Sequence, residues 1–248
     1  MIISPEILRG VKGKLKYLEE CGVNCVHLMP FLDSPKGRSD GGYAVADFRK
    51  VKPELGTIED LADLAEACHE KDMNLCMDFV MNHTSEDHEW AQKARMGEGE
   101  YMSRYFFCDN ENYVREYEKT VPQVFPETAP GNFTWLPEIG HYVLTTFYPY
   151  QWDLNYKNPR VFNEMMYNFL FLVNQGIDIL RIDAVPLRPF DGICGRASAF
   201  LCGLDTDQKP CVHRCAATAS VRFRAGTRER LSRRDGKWRI GRLPGDAH

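Results

Sequence analysis

Apolar positions recur at helical spacing from the start of the chain. Ile7, Val11, Leu15 and Leu18 mark one face over residues 5–20, and Cys21-Gly22 closes the run with a glycine where a helix ends. The next apolar stretch, "VNCVHLMP", is too short for a helix and stops at Pro30, which predicts a buried parallel strand. Residues 31–56 are polar and rich in Gly and Asp, and read as a long loop. Thr57, with Asp60 three residues on, forms a capping box for a helix whose apolar face is Leu61, Leu64, Ala65 and Cys68. "NLCMDFVMNH" follows as a second buried strand. Residues 84–146 show little period, many aromatics and several Pro and Gly, and read as an irregular insertion. A helix over 158–175 has Pro159 in its first turn and turns Phe162, Met166, Phe169, Leu170 and Val173 inward. "GIDILRIDAV" is the third strand. The rhythm is that of repeated βα units, which build a parallel sheet and gather ligands at the carboxyl ends of its strands.

Composition changes the picture near Pro186. Residues 188–248 carry a net charge of +7, the residues before them −11, and four of the nine cysteines fall in this last stretch. No helical or strand period is visible there. For the whole chain, 248 residues with 44% hydrophobic content are enough for one sizeable core, and a net charge of −4 gives no sign of nucleic-acid or membrane binding. No 18-residue apolar run and no signal-peptide pattern is present, so a cytoplasmic location with reduced cysteines is the expectation.

The strand ends hold the candidate chemistry. The second strand closes with Asp78, Asn82 and His83, the third with Arg181 and Asp183. The loop after the first carries Asp40, Tyr43 and Asp47, and "TTFYPYQWDLNY" adds Phe147, Gln151, Asp153 and Asn155. Carboxylates, an imidazole and aromatic rings suit a neutral polyhydroxy ligand: polar groups bond hydroxyls, rings stack on a sugar face. Each residue also has a plain structural reading. His83 can be a satisfied loop histidine, Arg181 and Asp183 a structural ion pair on one strand face, Tyr43 a packing residue, and Asp78 a strand-end cap.

As a set, these segments resemble the α-amylase superfamily, glycoside hydrolase family 13. "DFVMNH" is similar to its D-x-x-x-N-H segment, "GIDILRIDAV" to its G-x-R-x-D segment, and "GYAVADFRKVKPELGT" to the loop after its second barrel strand. "TTFYPYQWDLNY", "PQVFPETAPGNFTW" and "FLVNQGIDILRIDAVP" resemble its amylosucrase branch, over residues 5–186 in all. The resemblance implies a (β/α)8 barrel with an inserted domain after the third strand, and a retaining mechanism with two carboxylates. It implies Asp183 as nucleophile, kept ionised by Arg181; Asp78 and His83 on the floor of the first sugar subsite, with His83 donating to a glucose hydroxyl; Tyr43 stacking on that sugar; Asp40 closing the subsite; and Phe147 and Gln151 on the donor side. Sucrose or an α-glucan is the implied substrate, with an α-glucosidase or a trehalose synthase as alternatives and a non-catalytic sugar-binding remnant as an alternative of another class. No cofactor is called for; a calcium ion near the insertion is compatible with the sequence but not indicated by it.

The organisation expected is therefore about half a barrel: residues 1–83 as its first part, 84–146 as an inserted subdomain, 147–186 as the helix and strand bearing the nucleophile, and 187–248 as an anomalous basic tail. The strands found would be the second to fourth of the family's eight. Its acid/base Glu, expected after the fifth, has no counterpart, since the only Glu beyond 187 is Glu229 in "TRERLSRRDG". A shifted reading frame or premature gene junction near Pro186 explains this pattern, and predicts a chain with little or no turnover. A basic tail for anions and a metal site at Cys202, Cys211, His213 and Cys215 are weaker readings of the same stretch.

Overall fold

The computed structural model describes residues 7–184 together with the strands Thr218–Arg222, Glu229–Arg234 and Lys237–Arg242. In chain order the first elements are α1 (Ile7–Lys12), α2 (Leu15–Glu20), β1 (Cys25–Leu28), β2 (Leu32–Asp33), a 3-10 turn at Asp40–Gly42, β3 (Asp47–Val51), α3 (Ile58–His69) and β4 (Asn74–Val80). Then come β5 (His83–Ser85), α4 (Glu89–Arg95), α5 (Gly99–Met102), β6 (Phe107–Cys108), α6 (Glu111–Thr120), β7 (Phe133–Leu136), β8 (His141–Leu144), β9 (Gln151–Asp153), α7 (Pro159–Val173) and β10 (Ile179–Asp183). The last strands are β11 (Thr218–Arg222), β12 (Glu229–Arg234) and β13 (Lys237–Arg242).

The three strands expected from the apolar runs pair in parallel, in the order β1-β4-β10. Leu75, Met77 and Phe79 of β4 and Leu180 and Ile182 of β10 are buried under α3 and α7. The capping box forms as read: Thr57 Oγ1 accepts the Asp60 amide at 3.2 Å, and the Asp60 carboxylate accepts the Thr57 amide at 3.0 Å. All four residues of the predicted α3 face are buried. On α7 the buried face is Val161, Met165, Met166, Phe169 and Leu172, with Phe162, Leu170 and Val173 at its margin.

Several expectations are corrected. The helix read over 5–20 is broken into α1 and α2 at Gly13-Lys14, where glycine weakens the helix, and its buried anchors are Leu8 and Leu15 while Ile7 is exposed. β1 is an edge strand with alternating exposure, not a buried one, because β4 is its only partner among the described residues. The loop over 31–56 contains an antiparallel ribbon of β2 and β3. The stretch 84–146 is more regular than its sequence: β6, β8 and β7 form a three-stranded antiparallel sheet flanked by α4, α5 and α6. On the far side of β10 lies β11, antiparallel, where a (β/α)8 barrel would place a parallel strand. β12 and β13 pair with each other. A backbone ladder forms without an apolar period, so these strands were not legible in the basic tail. The proposed junction near Pro186 and the cysteine–histidine group from Cys202 to Cys215 lie outside the described residues.

Candidate active site

The register of the parallel strands sets the site. Arg181 of β10 stands opposite Asp78 of β4, and Asp183 follows two residues on, on the same strand face. Arg181 Nη1 lies 2.9 Å from Asp78 Oδ2, and its Nη2 lies 3.3 Å from Asp183 Oδ1. The Asp78 side chain is fully buried. It takes two more donors, the Tyr43 hydroxyl at 2.8 Å on Oδ2 and the His27 ring nitrogen Nε2 at 2.9 Å on Oδ1.

Tyr43 reaches Asp78 because the loop after β1 folds back sharply. Gly42 has φ +109, and a Cβ there would meet the Pro30 carbonyl oxygen at 2.6 Å, so only glycine fits this turn. Asp40, at φ 47, begins the same turn. Burial, with Asp78 beside it, pushes the Tyr43 phenol up to about 12, which makes it a neutral donor at physiological pH.

A second group stands on β5 and β9, which pair His83 with Asp153. The Gln151 amide nitrogen lies 3.0 Å from His83 Nε2 and donates to Asp40 at 3.3 Å, while its oxygen accepts the Tyr148 amide at 3.0 Å. That amide bond orients Gln151, and His83 Nε2 either accepts from its amide or donates to the Tyr43 carbonyl, according to the ring tautomer. The same ring nitrogen is 3.3 Å from the Tyr43 carbonyl. Burial lowers the His83 pKa to about 4, leaving a neutral ring. Phe147 packs on it with centroids 5.1 Å apart. Asp40, Tyr43, Asp78, His83, Phe147, Gln151, Arg181 and Asp183 thus form one connected set of contacts at the carboxyl end of the sheet.

Asp183 is half-buried. Burial raises its carboxyl above the ordinary range, Asp78 and Asp40 add to the rise, and the Arg181 charge opposes it without cancelling it. The Arg181 charge acts in the direction the resemblance implies, toward the ionised carboxylate, and burial outweighs it in the net direction. Asp153, named among the aromatics of its segment, is buried against the amide and hydroxyl of Thr146 and is pushed up to about 7 by burial.

His27 was missed. The signal was available: it is the one imidazole in "VNCVHLMP". An imidazole inside an apolar strand needs a polar partner, but sequence alone does not say that the partner is Asp78.

The alpha-amylase catalytic-domain family model matches residues 7–198. The trehalose synthase of Pimelobacter sp. (strain R48) is 39% identical over 179 residues, covering 72% of this chain and 30% of that protein. The alpha-glucosidase of Apis mellifera is 35% identical over 180 residues, covering 72% and 31%. Among solved structures, the trehalulose synthase MutB from Pseudomonas mesoacidophila MX-45 matches with a TM-score of 0.64 and 29% identity, over 71% of this chain and 31% of that one. A family GH13_31 enzyme matches with a TM-score of 0.63 and 32% identity. The chain spans about three-tenths of the length of these relatives.

Proposed function

The chain belongs to the alpha-amylase family of glycoside hydrolases and transferases, and from that premise we propose that it carries the nucleophile half of a retaining α-glucosyl transfer site. Asp183 is the nucleophile. One of its carboxylate oxygens attacks the anomeric carbon of an α-glucoside, the bond to the leaving oxygen breaks, and a covalent glucosyl ester forms for water or a second sugar to resolve. Arg181 offsets part of the burial cost of the carboxylate, and Asp78 and Tyr43 hold Arg181 in place. His83, Gln151 and Asp40 line the floor beside Phe147. For His83 to bond a glucose hydroxyl, the sugar has to replace Gln151 as its partner.

The donor class we propose is an α-glucosyl disaccharide, sucrose or trehalose, or an α-glucan. The named relatives are trehalose synthases and α-glucosidases, and the solved structures include sucrose-converting enzymes. The motifs around Gln151 and Phe125 keep sucrose as a donor, in the manner of amylosucrase, as the finer proposal. The domain limits read from the sequence, and a cytoplasmic site of action, belong to the same proposal; no helix among the described residues is long and apolar enough to cross a membrane.

One observation carries the reading: Arg181 reaches Asp78 and Asp183 at once, at the carboxyl end of parallel strands. A donor whose leaving group departs without a proton tests it. The chain is incubated with 5-fluoro-α-glucosyl fluoride, digested and analysed by mass spectrometry. The expected result is one fluoroglucosyl unit on the peptide containing Asp183, and none in Asp183→Asn. A label on Asp40 or Asp78 overturns the assignment. Saturable glucose binding without any label favours the non-catalytic sugar-binding reading.

A further inference from the structure

Between α6 and β7 the chain makes a loop whose two ends meet on one carboxylate. Residues 121–132, "VPQVFPETAPGN", carry three prolines and no helix or strand. Glu118, near the end of α6, closes this loop. Its Oε1 accepts the Asn132 backbone amide, and its Oε2 accepts the Asn132 side-chain amide at 2.9 Å. Oε2 also takes the Gln123 side-chain amide at 3.4 Å. Asn132 is fully buried, and its carbonyl accepts the Thr145 amide at 2.8 Å, which anchors the closure beside the end of β8. Gly131, at φ +92, makes the reversal that brings Asn132 back to α6. Surface loops whose ends are held together in this way are frequently functional.

Between its ends the loop is mostly exposed, with Ala129 and Asn132 as its buried residues. Phe125, half-buried, is its one aromatic residue, and the Phe125 carbonyl accepts the Ala129 amide at 2.8 Å. The Phe125 ring lies 5.1 Å from Tyr148 and 6.2 Å from Phe147 between centroids, and Phe147 lies 5.1 Å from His83. Phe125 is thus where the loop meets the floor of the site. The segment it meets is held by bonds of its own: the Tyr148 carbonyl accepts the Gln151 amide at 2.8 Å, and the Gln151 side chain accepts the Tyr148 amide at 3.0 Å. The ring facing that segment takes its place from the loop. We propose that Glu118 is a positioning residue: by closing the loop at Asn132 and Gln123 it sets the Phe125 ring against Phe147, and so fixes the aromatic wall beside His83. A carboxylate suits the task, since it offers two charged acceptor oxygens to the converging N–H groups. The contacts stand by themselves; their bearing on a bound sugar rests on the reading of this set as a glucosyl site.

The test uses the full 248-residue chain carrying 4-fluorophenylalanine, followed by 19F NMR. The Phe147 signal, assigned with Phe147→Leu, reports the ring beside it, and the signal of Phe79 in the core is the control for an intact fold. Glu118→Ala is expected to move the Phe147 signal toward its position in Phe125→Leu, with Phe79 unmoved. The double variant Glu118→Ala/Phe125→Leu is expected to match Phe125→Leu alone, because Glu118 acts through Phe125. Where Glu118→Ala does not fold, Glu118→Gln carries the same test, since it keeps the volume and one acceptor oxygen. In either Glu118 variant, fluoroglucosyl labelling of Asp183 should slow by about tenfold to a hundredfold, the scale of a small misplacement in a site. An unmoved Phe147 signal overturns the proposal. So does a double variant that shifts beyond Phe125→Leu, or a moved signal with wild-type labelling. If wild type takes no label, the nucleophile reading falls separately, and the positioning role is read from the affinity for methyl α-glucoside. Weakening by about tenfold in Glu118→Ala supports the role; an unchanged affinity, or no saturable binding by wild type, overturns it.

Discussion

The β4–β10 pair carries a histidine–aspartate contact at each end, and the two ends are built differently. At the amino end, His69 Nε2 lies 2.8 Å from Asp178 Oδ2, and the same oxygen accepts the Leu75 amide at 2.8 Å. This ties the end of α3 and the approach to β10 onto the start of β4 and goes no further. At the carboxyl end, His27 lies 2.9 Å from Asp78, but Asp78 also holds Tyr43 and Arg181, and Arg181 reaches on to the half-buried Asp183. Contact distances within 0.1 Å of each other therefore do not separate a latch from a site. What separates them is that polar groups at one end close on each other, while at the other they continue to a carboxylate that burial has raised.

The strongest way to break this comparison is at Asp78. Asp78→Ala leaves Arg181 with a lost buried partner and Tyr43 and His27 without their acceptor, and should cost about 3–5 kcal/mol of stability. It should also abolish the fluoroglucosyl label on Asp183. Urea unfolding measures the first and mass spectrometry the second; a stable variant that still labels would show that Asp78 does not organise the site.

A second effect, on the order of 4 kcal/mol, concerns Asp153 beside His83. Its folded pKa of about 7 lies above its ordinary value of 3.8. Between these two values the folded chain holds a proton that the unfolded chain has released. The Asp153 contribution to stability is therefore largest below about pH 4, falls as pH rises toward 7, and levels off above it. Asp153→Asn should remove that slope and be more stable than wild type at pH 8. A wild type whose unfolding midpoint rises between pH 5 and 7, with no change in slope in the variant, would contradict the burial argument.

How much of this could be read beforehand follows from the range of the interactions. Thr57 and Asp60, Pro159, and the Arg181–Asp183 spacing act within one turn or one strand, so they were legible. So was the gathering of Asp78, His83 and Asp183, because strand ends of a parallel sheet share one side. The β2–β3 ribbon, the β6-β8-β7 sheet and the antiparallel β11 were not, since short strands are specified by their partners and not by their own period. The His27–Asp78 contact spans 51 positions and depends on the β1–β4 register. The balance at Asp183 was only half visible for a related reason: the sequence shows the neighbouring Arg181 but not the depth of burial that opposes it.

The amino end supplies the third prediction. Asp178→Ala orphans the buried Leu75 amide and the His69 ring together, and should cost about 1–3 kcal/mol. If this end is only a latch, the rate of Asp183 labelling per folded molecule stays at the wild-type value. A loss of labelling larger than the loss of folded protein would mean that the two ends communicate along β4 and β10, and the distinction drawn between them would fail.

The smallest effect is the sharpest test of what a latch is. His69→Ala removes one donor but leaves the Leu75 amide on Asp178, and the His69 side chain is 28% exposed, so water can take its place. The cost should be about 0.5–1 kcal/mol, clearly below that of Asp178→Ala. The asymmetry arises because removing the acceptor strands a buried amide, whereas removing the histidine strands nothing that water cannot reach. In the double variant the two costs should be less than additive, since once Asp178 is gone His69 has no partner there to lose. Fully additive costs would show that His69 stabilises α3 by some other contact, and that the amino-end pair is coincidental proximity, not a bond holding helix to sheet.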